Sequence, residues 1–475
     1  MQSPDSTSLT TASRHFARSG FTLVGVIGLL ALAACGGAGD ADDGAAAEAS
    51  GVVLEVPGDY PTIQAAVDAA KEGDLVLIAP GVYYEEVEVT TDNIVIRGLE
   101  RNEVILDGEF KRQNGIQVVG ADGVSIENMT AMNYERNGFL WTGVTCYRGS
   151  YLSAVRNGDY GIYAFDAVGG LFEHSYAAGS TSSGFYIGQC YPCDAVVTDV
   201  VSEHNALGYS GTNAGGNLFV VNSTFRFNRM GIVPNSGTYE LCYPQRETVI
   251  AGNRVYSNNQ PDTAAFRWAV LFMGSGIFVS GGIQDTVRNN RVWDHDQFGI
   301  ALAPYLEWNP SDELTPRENW TLSCAESRKL ETKAPEGSIT WEPLESRVFD
   351  NVVEESRIAD LVLASTGVDL STLGNCFSGN TFATSAPNDI EALAPCTSDG
   401  VGEGSGDWFA NALDMNEWFN REFDTRRGVR YDEAPLPGLP ILENMPDAAT
   451  APARPASPKP PKIDIDAIKV PDRIS

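Results

Sequence analysis

A glycine followed by an apolar residue keeps returning between residues 115 and 300. The pairs are Gly115-Ile116, Gly138-Phe139, Gly161-Ile162, Gly184-Phe185, Gly208-Tyr209, Gly231-Ile232, Gly276-Ile277 and Gly299-Ile300. Their intervals are 23, 23, 23, 24, 23, 45 and 23 residues, and 45 reads as two periods. A fixed period of this size marks a solenoid, in which each repeat stacks only on its neighbours. Within each period short apolar strands such as Val124-Ser125-Ile126 and Leu218-Phe219-Val220-Val221 alternate with polar corners. Strands of three to five residues with three corners per turn suit a triangular coil, with equivalent strands pairing in parallel about 4.8 Å apart. The expected fold class is all-β, a parallel β-helix of about 23-residue coils. Asn128, Asn222, Asn253, Asn290, Asn351 and Asn380 follow or end such strands. Asn at an inward corner can bond its equivalents above and below and so satisfy corner backbone.

Before the repeats, Ile63, Ala66, Val67 and Ala70 fall on one face of a helix over residues 62–71, stopped by Gly73. The segment DYPTIQAAVDAAKEGDLVLIAPGVYYEEVEV resembles the opening of right-handed parallel β-helix proteins of the pectin-lyase-like superfamily. The resemblance implies that the helix caps the open end of a right-handed solenoid spanning residues 52–398. It carries over no catalytic residues. Pectin methylesterases share the opening, but their later motifs find no match here. Pectate lyases and chondroitinase-like members use Arg or Lys beside calcium, and Arg136, Arg148, Arg156, Arg226 and Arg229 form no such constellation. Calcium is left open as a cofactor.

The N-terminus reads as a targeting segment. Arg14 and Arg18 precede an apolar run from Phe21 to Ala34, too short to span a bilayer. The run ends in Leu32-Ala33-Ala34-Cys35, which resembles the bacterial lipobox, and the resemblance implies lipidation of Cys35. Residues 1–34 are then a signal peptide and 35–51 a flexible tether. The expected location is exported, lipid-anchored to the cell membrane or outer membrane, with the anchor as the only membrane contact. The formal net charge of −31 argues against nucleic acid as a partner. In an exported chain disulfides are allowed, and Cys376 with Cys396 is a candidate local bridge, while Cys190 and Cys193 have the spacing of a loop staple, with a metal or redox role as the alternative. At the other end, residues 399–433 read as a cap, with Trp408, Ala412, Met415, Phe419 and Phe423 on one helical face. The Pro-rich residues 434–475 read as extended or disordered.

The residue after each repeat Gly is apolar and points inward, so the next one points outward. That places Tyr163 and Tyr186 on an outer face, near Asp166, Gln189, Asn213 and Asn235. Rings to stack on a sugar, with amides and a carboxylate to take its hydroxyls, make this face the candidate polysaccharide site. The substrate-binding candidates are Tyr163, Tyr186, Gln189, Asn213 and Asn235. An enzyme acting on the same face (lyase, epimerase or hydrolase) would use Asp166 or Glu173 as acid or base. Glu127 and Glu173 match in register two coils apart. A structural or adhesive surface protein is the third reading. No histidine metal site follows: His204 and His295 share a rung position but lie 91 residues, or about four coils, apart, and His174 sits at another corner.

Overall fold

The computed structural model describes residues 51–265, 273–398, 400–419, 429–436, 438, 440–453 and 460–474. Cys35 and the signal segment lie outside the described residues. Three stacks of short parallel strands form a triangular prism. The first runs from Val53–Val56 through Leu75–Ile78 and Val95–Gly98 to Cys376–Ser378. The second runs from Gly81–Tyr83 to Val352–Ser356, and Ser125–Met132 and Arg148–Val155 pass through the corner that joins the two. The third runs from Val87–Val89 through Asn114–Val119, Asn137–Thr142, Ile162–Phe165, Ser183–Gly188, Leu207–Thr212 and Met230–Asn235 to Ser385–Ala386.

The apolar member of every Gly pair, from Ile116 to Ile300, is fully buried in the prism. The glycines themselves are needed for close approach. A Cβ on Gly115 would stand 2.4 Å from the Gly138 carbonyl oxygen, and one on Gly161 2.6 Å from that of Gly184. Gly208 and Gly231 meet the next glycine of the row in the same way, at 2.6 and 2.4 Å. The period is therefore a backbone contact repeated from coil to coil.

The interval of 45 is one coil and not two. Met230 pairs with Ser275 and Ile232 with Ile277, directly on the next strand of the third sheet. Two insertions lengthen that coil, a loop at residues 236–245 and another at 257–274. A missing glycine and an inserted loop look alike to a period count. A longer insertion, residues 304–346, crosses beside the same edge and contains the antiparallel pair Tyr305–Glu307 and Ile339–Trp341.

The Asn ladder forms, with changed membership. Asn253 donates to Asn290 (3.0 Å), Asn290 to Asn351 (3.0 Å) and Asn351 to Asn380 (2.9 Å). Glu391 accepts from Asn380 at the end. Asn128 instead donates to Gly98 O, and Asn222 is exposed outside the ladder. A second ladder runs Asn205, Asn228, Asn258 and ends on His295. His295 thus stands in register with Asn205, three coils away, and not with His204, because one more residue separates His295 from Gly299 than separates Asn205 from Gly208.

The helix Ile63–Ala69 closes the first end, with Thr62 as N-cap and Ile63, Ala66 and Val67 buried. The other end is closed by Ile390–Leu393, whose Ile390 and Leu393 join the interior. The segment expected there does something else. Its helix is only Met415–Phe419, and Met415 and Trp418 are buried against Phe278, Phe298 and Val362 on the outside of the third sheet. The outward row Val233, Phe278, Ala301 is apolar and must be covered, which explains the difference. Phe423 lies outside the described residues.

The described residues of the Pro-rich tail are held against the prism, with one short 3-10 turn at Ile465–Ala467. Arg97 donates to Ala451 O (2.6 Å) and Pro452 O (3.1 Å), Arg101 to Glu443 O (3.2 Å) and Arg156 to Ala434 O (2.9 Å). Farther along, Arg254 donates to Asp472 O (2.9 Å) and Arg291 to Pro471 O (2.7 Å). Leu436, Leu442 and Ile468 add small apolar anchors. Guanidinium donors read carbonyls, which a Pro-rich chain leaves unpaired, so a composition that reads as extended or disordered does not show where the segment binds. Disulfides join Cys190–Cys193, Cys376–Cys396 and Cys242–Cys324, the last tying the loop at 236–245 to the long insertion.

Candidate functional site

The third sheet brings the five sugar-binding candidates together. Tyr163 and Tyr186 are register partners on adjacent coils, with ring centroids 5.0 Å apart. Tyr160, at the entrance of the same coil, stacks on Tyr163 at 4.4 Å and 8° and stands 4.8 Å from Tyr186. Gln189, Asn213 and Asn235 follow at the corner after successive strands. Instead of pointing to solvent, these amides hold the loop at 236–245. Gln189 Oε1 accepts from Leu241 N (2.8 Å), and Asn213 Nδ2 donates to Gly237 O (2.6 Å) and Glu240 O (2.7 Å). Asn235 Nδ2 donates to the Tyr239 hydroxyl. The loop thereby sets exposed Tyr239 and the Glu240 carboxyl beside the tyrosine stack. Tyr186 is buried beneath it, while Tyr160 and Tyr163 remain half-buried.

Glu240 is the unusual group. Its Oε1 accepts from Tyr186 Oη at 2.5 Å, and its Oε2 is buried with no hydrogen-bond partner. Burial pushes this carboxyl up to about 8. Asp159, next in the chain to Tyr160, is pushed up to about 6 by burial, with Arg136 opposing. Tyr160 and Tyr163 are raised by burial and by these acids. At pH 7 one carboxyl of this face is therefore mostly ionised and the other mostly protonated. Neither acid was singled out in sequence. Glu240 sits in the loop that the period count absorbed, and Asp159 shows only as an acid directly before Tyr160-Gly161.

The two predicted catalytic acids are not brought together. Asp166, at the corner after the third sheet, pairs with Arg328 of the long insertion and is about a third exposed. Glu173 faces outward on the first sheet, a different side of the prism, where Arg148 Nε donates to it at 2.9 Å. Its register partner two coils away is Glu127, as the spacing predicts. Arg148 bridges the two, and Arg97 donates to Glu127 at 2.7 Å. Guanidinium between every pair of carboxylates makes this an ion network and leaves no free acid for proton transfer. Among the described residues no group of three His, Cys, Asp or Glu side chains is placed to hold a metal ion.

Residues 150–310 match the family model of the right-handed beta helix region. The chain is a right-handed parallel β-helix. No curated protein matches its sequence. Among solved structures, the Azotobacter vinelandii mannuronan C-5 epimerase AlgE4 A-module is similar at 13% identity and TM-score 0.36, over 67% of this chain and 91% of that one. An alginate lyase from Paenibacillus sp. str. FPU-7 is similar at 12% identity and TM-score 0.34, over 70% and 99%. Pectate lyase Pel9A is similar at 12% and 0.37, over 73% and 84%. At such identities and scores, the site has to be read from this chain alone.

Proposed function

We propose that this β-helix binds polysaccharide on its third sheet, across Tyr160, Tyr163 and Tyr239, with Asp159 and Glu240 setting the charge beside the rings. The observation that carries the reading is the convergence on adjacent coils of stacked tyrosines and an unpartnered buried carboxyl oxygen. Aromatic rings offer flat apolar area, and a few placed polar groups fix orientation, which is the composition of a ligand site. The platform spans two adjacent coils, Tyr163 and Tyr186 being register partners.

An enzyme on the same face is the second reading. It is favoured by the split between Asp159 and Glu240, one base and one acid beside the tyrosines at pH 7. A panel of acidic and neutral polysaccharides, scored for retention and for new reducing or unsaturated ends, tests both. Retention lost in Tyr163→Ala plus Tyr186→Ala supports binding. Ends released by wild type and not by Glu240→Gln support catalysis. A folded protein that retains no glycan and releases no ends sinks both readings.

We place the protein at the cell envelope, anchored through Cys35, because the lipobox precedes a small polar tether. Partition of wild type but not Cys35→Ala into the detergent phase is the expected result.

A further inference from the structure

The loop at 236–245 closes at its base on a buried pair that the tyrosine face does not use. Ser236 opens the loop and Gln245 ends it, and Gln245 N donates to Ser236 Oγ at 3.0 Å. Ser236 Oγ in turn donates to Gly281 O at 2.6 Å, which ties the neck to the next coil. The Gln245 side chain then meets Asp285, and both residues are fully buried.

One half of that meeting is an ordinary hydrogen bond. Gln245 Nε2 donates to Asp285 Oδ1 at 2.8 Å, and Thr248 N donates to the same oxygen at 2.8 Å. The other half is two orphans, since Gln245 Oε1 and Asp285 Oδ2 are both buried without a hydrogen-bond partner. They crowd one spot. A Cβ on Gly282 would stand 1.9 Å from the first and 2.4 Å from the second, so the two oxygens lie no farther apart than those distances added. Two acceptors with no hydrogen between them repel, and each lacks the bond that burial demands. Turning the amide over only moves the conflict to Oδ1. An amide brings one donor and one acceptor to a carboxylate, which has acceptors alone, so one hydrogen is missing in either orientation.

Among the described residues no cation pairs with Asp285. Glu247 is the charged group that bears on it, and it is an acid. Arg246 spends its guanidinium on Cys242 O and Pro244 O, Arg347 reaches Thr397 O, and Arg288 pairs with Asp466. Tyr209, from the third sheet, is close enough to feel Asp285, yet its hydroxyl bonds neither oxygen. Burial pushes the Asp285 carboxyl up to about 7, against the bonds from Gln245 and Thr248.

We propose that Asp285 is held as a neutral acid, its Oδ2–H donating to Gln245 Oε1, so that acid and amide form a two-bond clasp that opens when the proton leaves. The clasp is a pH-sensitive closure at the neck of the loop that carries Tyr239 and Glu240. Its consequence for glycan binding rests on the reading above, but the clasp itself does not. Asp285 holds its proton more tightly in the closed neck (about 7) than at its ordinary 3.8. The closure is therefore complete below pH 3.8 and is lost as pH rises to about 7.

Hydrogen exchange over residues 236–248 of the full chain tests it, in a Glu240→Gln background so that the platform's own acid does not titrate. Protection, corrected for intrinsic rates, should fall by up to about tenfold per pH unit as pH rises to about 7, and then level off. Asp285→Asn brings an N–H of its own to Gln245 Oε1, so protection should stay high and the slope should vanish. Infrared difference spectra at about pH 5 give a second readout, a protonated-carboxyl band that is lost in Asp285→Asn. The proposal is overturned if that band is absent, or if the slope is missing or survives Asp285→Asn. Sugar retention enters neither readout, so failure here leaves the glycan reading standing.

Discussion

Two outer faces of one prism carry buried carboxyl groups in opposite company. On the first sheet, Glu127 is fully buried between Arg97 and Arg148, and the tail crosses over the same arginine. On the third sheet, Glu240 meets a phenol on one oxygen and nothing on the other. Solenoid register produced the first, stacking Glu127 on Arg97 of the coil before, whereas an inserted loop carries Glu240 to the second. The difference is compensation: one buried carboxyl has its charge answered by guanidinium, whereas burial without a counter-charge raises the proton affinity of the other. Acid spacing finds only the first kind, and the counter-charge there shows why it is structural.

The largest effect should come from removing the cover of the first face. In a solenoid each coil touches only its neighbours. The tail adds contacts more than 300 residues away in sequence, such as Arg97 to Ala451. Truncation after residue 433 is expected to lower the melting temperature more than any substitution below. Hydrogen exchange should speed up in residues 95–156, and unchanged exchange there would show the tail to be ornamental.

Next in size is the network itself. Arg148→Met leaves Glu127 and Glu173 without their bridge, and breaking a buried pair from one side costs about 3–5 kcal/mol. Urea unfolding measures it. A loss below 1 kcal/mol would mean that water reaches these carboxylates and that the contrast between the faces is false.

The third face predicts a pH slope. Glu240 binds its proton more tightly folded (about 8) than at its ordinary 4.5. Its contribution is therefore complete below pH 4.5 and is lost as pH rises to about 8, at up to about 1.4 kcal/mol per pH unit. Glu240→Gln should flatten stability over that window. His295 works in the reverse sense. Burial lowers it from 6.5 to about 3, so its contribution is present above pH 6.5 and lost as pH falls to 3. His295→Asn would continue the ladder Asn205, Asn228, Asn258 with its own kind. It should gain roughly 2 kcal/mol over wild type at pH 5 relative to pH 7.5, read from paired unfolding curves. Equal curves would imply that His295 is already open to solvent.

The prism was legible because its period has a hard physical origin, a glycine carbonyl against the next glycine. Tyr163, Tyr186, Gln189, Asn213 and Asn235 were reached by the same route, since a constant offset from that glycine keeps side chains on one face. Glu240 escaped because an insertion of nearly one coil in length mimics a skipped glycine. The strap escaped for another reason. Arg97, Arg101, Arg254 and Arg291 recognise main-chain carbonyls, and a carbonyl has no sequence. Fold and platform follow from local repetition, while the groups that give the platform its chemistry are brought in from loops.

The smallest effect concerns the acid expected beside the tyrosine face. Asp166 borders the tyrosine face, yet it is partly exposed and pairs with Arg328, itself 39% exposed. Such pairs contribute about 0–1 kcal/mol. Asp166→Asn should therefore change stability by less than 1 kcal/mol and leave glycan retention unaltered, while Asp159→Asn on the buried side of the same stack alters retention and its pH dependence. Retention lost in Asp166→Asn and kept in Asp159→Asn would reverse the assignment. It would mean that the sugar lies along the exposed corner, outside the loop, and that burial beneath Tyr239 serves only to hold that loop in place.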